Sequence, residues 1–120
     1  MTPAVFAAVV AAGAVGAVAR AAVGVLVRRL WRRRGAGTLV VNLSGAFALG
    51  AWISWPGVDA GWVEVVGTGF LGAYTTFSTW MAEAAAGWRE GQRAAVVGEV
   101  ALTLVLGLAA AGLGVALARG

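Results

Sequence analysis

The stretch from Gly67 to Trp80 contains the residues that are best suited to bind an ion. It reads Gly-Thr-Gly-Phe-Leu-Gly-Ala-Tyr-Thr-Thr-Phe-Ser-Thr-Trp and lies within an apolar run long enough to cross a membrane. Repeated glycines followed by hydroxyl side chains disfavour a continuous helix that faces lipid. A broken helix persists at bilayer depth only where its free backbone groups meet protein, water or an ion. The stretch therefore predicts an ion site inside the membrane.

The spacing of the side chains after this break predicts two different helix faces. If the helix resumes near Thr75 and turns by about 100° per residue, Thr75, Ser78 and Thr79 share one stripe. Phe77 and Trp80 share another stripe, which points roughly the opposite way. A helix with a hydroxyl face and an aromatic face is suited to stand between two ion pathways.

The composition is that of a membrane protein. Of the 120 residues, 61% are hydrophobic and only 12% are charged, so the chain has room for about four spans and little else. The absence of cysteine and histidine excludes disulfides, metal sites built from those residues and histidine acid–base chemistry. Neither paired carboxylates nor a nucleophile beside a base is visible, so an enzyme is not expected.

These observations predict one all-α membrane domain, residues 1–120, with the third of four transmembrane helices broken near its middle. The predicted spans cover about residues 2–27, 38–55, 62–88 and 94–118. In the first span Gly16 and Gly24 lie on one face, where small residues allow close approach of another helix backbone. The alternative is that glycine and alanine are simply common in such spans.

Four polar residues within or near the spans each allow two interpretations. Arg20 either provides positive potential at an anion entrance or forms a cap or ion pair near the interface. Asn42 either makes an interhelical hydrogen bond or donates its NH₂ group to a passing anion. Glu83 belongs to a vestibule or only to the interface. On the last span Thr103 shares a face with Glu99, and its hydroxyl either lines a pore or bonds back to its own helix.

The arginines predict an orientation in the membrane. With four spans, both termini lie on one side, and the connections after the first and third spans lie on the other. The connections contain Arg28, Arg29, Arg32, Arg33, Arg34, Arg89 and Arg93. The side with the termini has only Arg119, so the positive-inside rule predicts that the termini are outside and both connections cytoplasmic. Because the positive charge is concentrated beside apolar spans, a nucleic-acid partner is not expected.

Two blocks of the sequence resemble the Fluc (CrcB-type) family of fluoride channels. Residues 69–80 are similar to the family's usual Gly-Phe-x-Gly-Gly-x-Thr-Thr-Phe-Ser-Thr-Phe, with Ala73 and Trp80 as departures. Residues 37–45 resemble its Gly-Thr-Leu-x-Val-Asn-x-x-Gly. Together with Gly13, Gly16 and Arg20 in the first span, the likeness covers nearly the whole chain.

The resemblance implies a plasma-membrane protein of a prokaryote that lets fluoride leave the cytoplasm passively and so gives fluoride resistance. It implies an antiparallel dimer with a structural Na⁺ held at its centre by backbone carbonyls, which correspond here to Gly72 and Thr75. The fluoride pathway implied by the family corresponds to Asn42, Phe77, Ser78, Thr79, Trp80 and Thr103. Since the arginines fix one orientation, we expect a heterodimer with an oppositely oriented homologue, and a homodimer is the alternative.

Two other functions remain open at this point. A small dual-topology exporter of cations or drugs would need a carboxylate buried in a span. The first two predicted spans have none, which leaves Glu99 as the candidate. The second alternative is a non-conducting structural partner within a heterodimeric fluoride channel, which the larger indole of Trp80 favours.

Overall fold

The computed structural model describes residues 1–120 and is helical, without strands, as the composition predicted. Its helices are α1 (Pro3–Leu30), α2 (Ala36–Ser54), α3 (Ala60–Trp62), α4 (Gly72–Tyr74), α5 (Ser78–Arg89) and α6 (Arg93–Arg119). A π-helical segment, Val63–Leu71, joins α3 to α4. The helices α1, α2 and α6 are long and apolar enough to cross a membrane, whereas the region 60–89 is divided among shorter helices.

The helix ends follow local capping chemistry. The Thr2 hydroxyl accepts the Val5 N–H at 3.2 Å, and Pro3 occupies the first turn of α1, where the missing N–H costs nothing. Asp59 accepts the Trp62 N–H at 3.0 Å and begins α3 in the same way. By contrast, α2 begins after Gly35, which has a left-handed φ of 76° and provides no side-chain cap.

Backbone contacts at glycines bring the helices together. A Cβ atom added at Gly16 of α1 would lie 2.2 Å from the Phe70 carbonyl oxygen in the π-helical segment. Between α2 and α6, a Cβ at Gly50 would lie 2.2 Å from the Ala111 carbonyl oxygen, and Gly114 similarly faces Phe47. The Gly16 contact therefore supports the interpretation that small residues of the first span allow another backbone to approach closely.

The outer surface is strongly apolar. In the most hydrophobic stretches of α1 and α6, only 11% and 6% of the residues are buried within the chain. Large side chains such as those of Leu30 and Leu108 are 79% and 75% exposed. Surfaces of this kind are stable in lipid rather than in water, so the fold is that of a multi-pass membrane protein.

Within the Gly67–Trp80 stretch the helix resumes at Ser78, not near Thr75 as the face analysis assumed. Thr75 has extended backbone angles, φ −80° and ψ 160°, and lies outside any helix. Thr75 therefore does not share a helix stripe with Ser78 and Thr79. Ser78, Thr79 and Trp80 occupy the first turn of α5, and Phe77 immediately precedes it.

Candidate ion site

The non-helical residues 75–77 are fixed by two side chains that replace helical hydrogen bonds. Thr75 caps the preceding turn itself, because its N–H and its hydroxyl both donate to the Leu71 carbonyl at 3.0 Å. In a continuous helix the N–H of Thr76 would donate to Gly72, four residues earlier. Here it donates to Asn42 Oδ1 at 2.8 Å. The chain therefore leaves the helix where Asn42 takes over the bonding.

Asn42 binds the backbone of Thr76 through both ends of its amide. Its NH₂ group donates to the Thr76 carbonyl at 2.8 Å, while its oxygen accepts the Thr76 N–H at the same distance. The structure thus has the interhelical hydrogen bond that was one interpretation of this residue. Because the NH₂ group has two N–H bonds and only one meets a protein acceptor, Asn42 retains a donor for a further ligand.

The carbonyl groups of Gly72 and Thr75 differ from those inside a helix. Gly72 has lost its helical donor, the Thr76 N–H, to Asn42. The Thr75 carbonyl accepts a long hydrogen bond of 3.4 Å from Arg20 Nη1, so Arg20 contacts the break directly. Gly45 of α2 allows this packing, because a Cβ there would lie 2.2 Å from the Thr75 methyl group. Both carbonyl oxygens retain lone pairs for a cation.

Thr76 was not among the site residues identified from the sequence, yet it organises the start of α5. Its hydroxyl accepts the Thr79 N–H at 3.2 Å and lies 3.4 Å from the Ser78 hydroxyl. A threonine three residues before a helical amide is a sequence signal for an N-terminal cap. Tyr74, also missed, bonds through its OH group to Ser44 at 2.9 Å.

Phe77 and Trp80 form an edge-to-face aromatic pair. Their ring centroids are 5.9 Å apart and their planes meet at 83°, so the electropositive edge of one ring faces the other ring. Phe77 is 70% exposed in the isolated chain. This leaves most of its ring surface available to a neighbouring molecule.

A cavity of about 150 Å³ extends from the arginine-containing 31–35 connection to Asn42. Trp80 and Thr103 also line it, which brings together three of the six residues that the sequence assigned to the fluoride pathway. Phe77, Ser78 and Thr79 do not line it, so the isolated chain separates these residues from the other three.

Two carboxylates and their hydrogen-bond donors also line this cavity. Glu83 accepts the Thr38 hydroxyl at 2.7 Å, and Glu99 pairs with Arg33 at 3.2 Å. All four residues line the cavity. Glu83 therefore lines the cavity, and Glu99 on α6 is paired with an arginine of the connection between α1 and α2.

Comparison with known proteins assigns the family. Residues 7–115 match the family described as "CrcB-like protein, Camphor Resistance (CrcB)". A protein of Mycolicibacterium paratuberculosis named fluoride-specific ion channel FluC 2 is 44% identical over 98% of this chain and 97% of its own length. Fluoride-specific ion channel FluC 1 of Symbiobacterium thermophilum is 43% identical, over 91% and 93%. The family match and these relatives confirm the resemblance seen in the sequence: the chain belongs to the CrcB-like family.

Proposed function

We propose that this protein is a subunit of a fluoride-selective channel. The observation that carries the proposal is the break at residues 75–77, which exposes backbone oxygens and places Asn42 and Trp80 beside one cavity. The similar proteins from Mycolicibacterium paratuberculosis and Symbiobacterium thermophilum are named for fluoride-specific ion channels, not for enzymes. That agrees with the sequence-based prediction that the chain is not an enzyme.

Fluoride is small and strongly hydrated, so a pore must replace its water with several well-placed donors. The unpaired N–H of Asn42 is one such donor. Aromatic ring edges at Phe77 and Trp80 provide weaker positive charge, and the indole N–H of Trp80 adds a donor. Hydroxyls of Ser78, Thr79 and Thr103 complete the proposed pathway.

The proposed cation site is made of the Gly72 and Thr75 carbonyl oxygens. An oxygen-only donor set suits a hard cation such as Na⁺, and its fixed charge would favour anions in an adjacent pathway. The geometry fits in one respect, because Gly72 lacks its helical donor and is free to ligate. Two oxygens are fewer than such a cation requires, so the site needs the same pair from a second subunit. The Arg20 contact with Thr75 positions one of the oxygens.

The proposed assembly is an antiparallel dimer in the plasma membrane. The arginines of the two connections give this chain one orientation, with the termini outside. An antiparallel homodimer would require both orientations from one sequence, so a heterodimer with an oppositely oriented homologue is proposed. Fluoride then leaves the cytoplasm down its electrochemical gradient, without a nucleotide site to couple energy.

Two alternative functions can be weighed against specific observations, one of which argues against the cation exporter and the other of which favours a non-conducting partner. Glu99, the candidate carboxylate of a cation exporter, has a side chain that is 54% exposed and is paired with Arg33, so it lacks the buried environment such a mechanism requires. The non-conducting partner is favoured by Trp80, whose bulky ring lines the 150 Å³ cavity.

Fluoride efflux from liposomes tests these proposals. We expect robust efflux when the chain is reconstituted with its oppositely oriented homologue, and little when it is alone. In the assembled pair, Phe77→Ile should reduce efflux by about tenfold or more, because it removes a ring edge from the pathway.

Trp80→Phe is the comparison variant, because it retains a ring edge while it removes the indole N–H and reduces the size of the side chain. Loss of efflux in Phe77→Ile with normal efflux in Trp80→Phe supports participation in the pore. Normal efflux in both variants identifies a structural partner. Efflux from the chain alone that equals efflux from the pair contradicts the heterodimer, and absence of fluoride efflux from both preparations contradicts the channel.

A further inference from the structure

A second cavity, of about 340 Å³, lies at the connection between α1 and α2. Its lining is dominated by guanidinium groups, with one carboxylate, Glu83, which is already bonded to the Thr38 hydroxyl. The arginines that line it are Arg28, Arg32, Arg33 and Arg34. Four cations around one cavity attract an anion, and planar guanidinium groups bind phosphate oxygens in pairs.

The four arginines are not equally available to a ligand. Arg33 and Arg34 form ion pairs with Glu99 and Glu90, and the hydrogen bond from Arg34 to Glu90 raises the pKa of Arg34 above its ordinary value. Arg28 and Arg32 have no carboxylate partner in the chain, and both are exposed. The unneutralised charge in this cavity therefore comes from Arg28 and Arg32.

The first turn of α2 contributes a second, independent feature. The Ala36 N–H donates to the Arg33 carbonyl, but the N–H groups of Gly37 and Thr38 donate to no protein acceptor. Gly37 is buried, and both residues line the cavity. A buried N–H without a partner is costly, and a helix N-terminus with free N–H groups favours an anion. The two amides are therefore available to an external acceptor.

The position of the cavity relative to the bilayer identifies the source of that acceptor. At about 1.5 Å per residue, α1 is longer than the roughly 30 Å hydrocarbon core, so its last turn lies at headgroup depth. Arg28 belongs to that last turn, and Trp31, which follows it, also lines the cavity. Tryptophan and arginine at the end of an apolar helix are typical of the membrane interface.

We propose that this cavity binds the phosphate of an anionic phospholipid headgroup. Arg28 and Arg32 pair with the phosphate oxygens, while the Gly37 and Thr38 N–H groups donate hydrogen bonds to the phosphate at the start of α2. The acyl chains lie along the exposed apolar face of α1. This inference concerns lipid binding, so it does not depend on fluoride conduction.

Native mass spectrometry of the purified protein in detergent tests the proposal, with phosphatidylglycerol and phosphatidylcholine as probes. We expect the protein to retain phosphatidylglycerol more tightly than phosphatidylcholine. The double variant Arg28→Gln/Arg32→Gln should weaken phosphatidylglycerol binding by about tenfold, because it removes the two unpaired positive charges that attract the anionic headgroup.

The matched control is Arg29→Gln/Arg89→Gln, which removes the same charge from the same predicted side of the membrane but outside this cavity. It should change phosphatidylglycerol binding by less than about twofold. Equal losses in the two double variants would mean diffuse electrostatic attraction and overturn the site. Displacement of the lipid by millimolar inorganic phosphate would assign the cavity to a free anion and overturn the lipid assignment. Circular dichroism of each variant establishes that it is folded.

Discussion

Asn42 is the residue on which the break in the chain depends most directly. Its amide satisfies both the N–H and the carbonyl of Thr76, a residue that is only 9% exposed. We expect Asn42→Ala to lower the free energy of unfolding by about 1–3 kcal/mol, because two buried backbone groups lose their partners. Fluoride efflux from the reconstituted pair should fall with it. Unfolding in mixed micelles and liposome efflux measure the two effects.

Ser44→Ala is the control for Asn42→Ala, on the same helix. Ser44 is exposed, and its hydroxyl bonds only to the Tyr74 hydroxyl and the Val41 carbonyl. Its removal should change the free energy of unfolding by no more than about 0.5 kcal/mol. If the two variants have the same stability, the hydrogen bonds of Asn42 do not hold the break in place.

The sequence indicated that Asn42 needs partners but not which partners it has. An amide in an apolar helix must satisfy its donors and acceptor, and that follows from its chemistry alone. Its actual partner, Thr76, is separated by 34 positions and belongs to another part of the fold. Helical periodicity describes only neighbours three or four residues apart, so this contact was not predictable from it.

At the scale of helices, the approach of α1 to the π-helical segment depends on Gly16. A methyl group there would lie 2.2 Å from the Phe70 carbonyl oxygen, a backbone atom that cannot rotate away. We expect Gly16→Ala to destabilise the fold by about 1–3 kcal/mol through overpacking. Gly112→Ala on α6 is the control, because no atom lies within 4 Å of its added methyl group. Its stability should be unchanged or raised by up to about 1 kcal/mol.

The measurement for both glycine variants is again unfolding in mixed micelles. Equal stability of Gly16→Ala and Gly112→Ala would show that α1 can move away from the π-helical segment without cost.

Composition and apolar runs were sufficient to predict the all-helical class. The π-helical hydrogen bonding of Val63–Leu71 was not predictable, because the Gly67 carbonyl is bonded to the Gly72 N–H, five residues later, through packing and not through any local residue signal.

For the whole molecule, the distribution of arginine decides how the chain inserts, and insertion in turn decides its partner. The connection between α1 and α2 contains Arg32, Arg33 and Arg34. Arg33 is paired with Glu99 of α6, and Arg34 is paired with Glu90 in the connection between α5 and α6. These pairs bring the two arginine-containing connections to one end of the molecule. A chain with this concentration of charge should insert in one sense, with that end in the cytoplasm.

Because the sequence contains no cysteine, single introduced cysteines report this orientation without background. Gly120→Cys marks the C-terminus and Gln92→Cys marks the connection before α6, and both positions are exposed. We expect a membrane-impermeant maleimide to label Gly120→Cys on intact cells and Gln92→Cys only after permeabilisation. Equal labelling of both would mean that the chain inserts in two orientations. An antiparallel homodimer would then need no second homologue, and the heterodimer would be wrong even if the channel itself conducts fluoride.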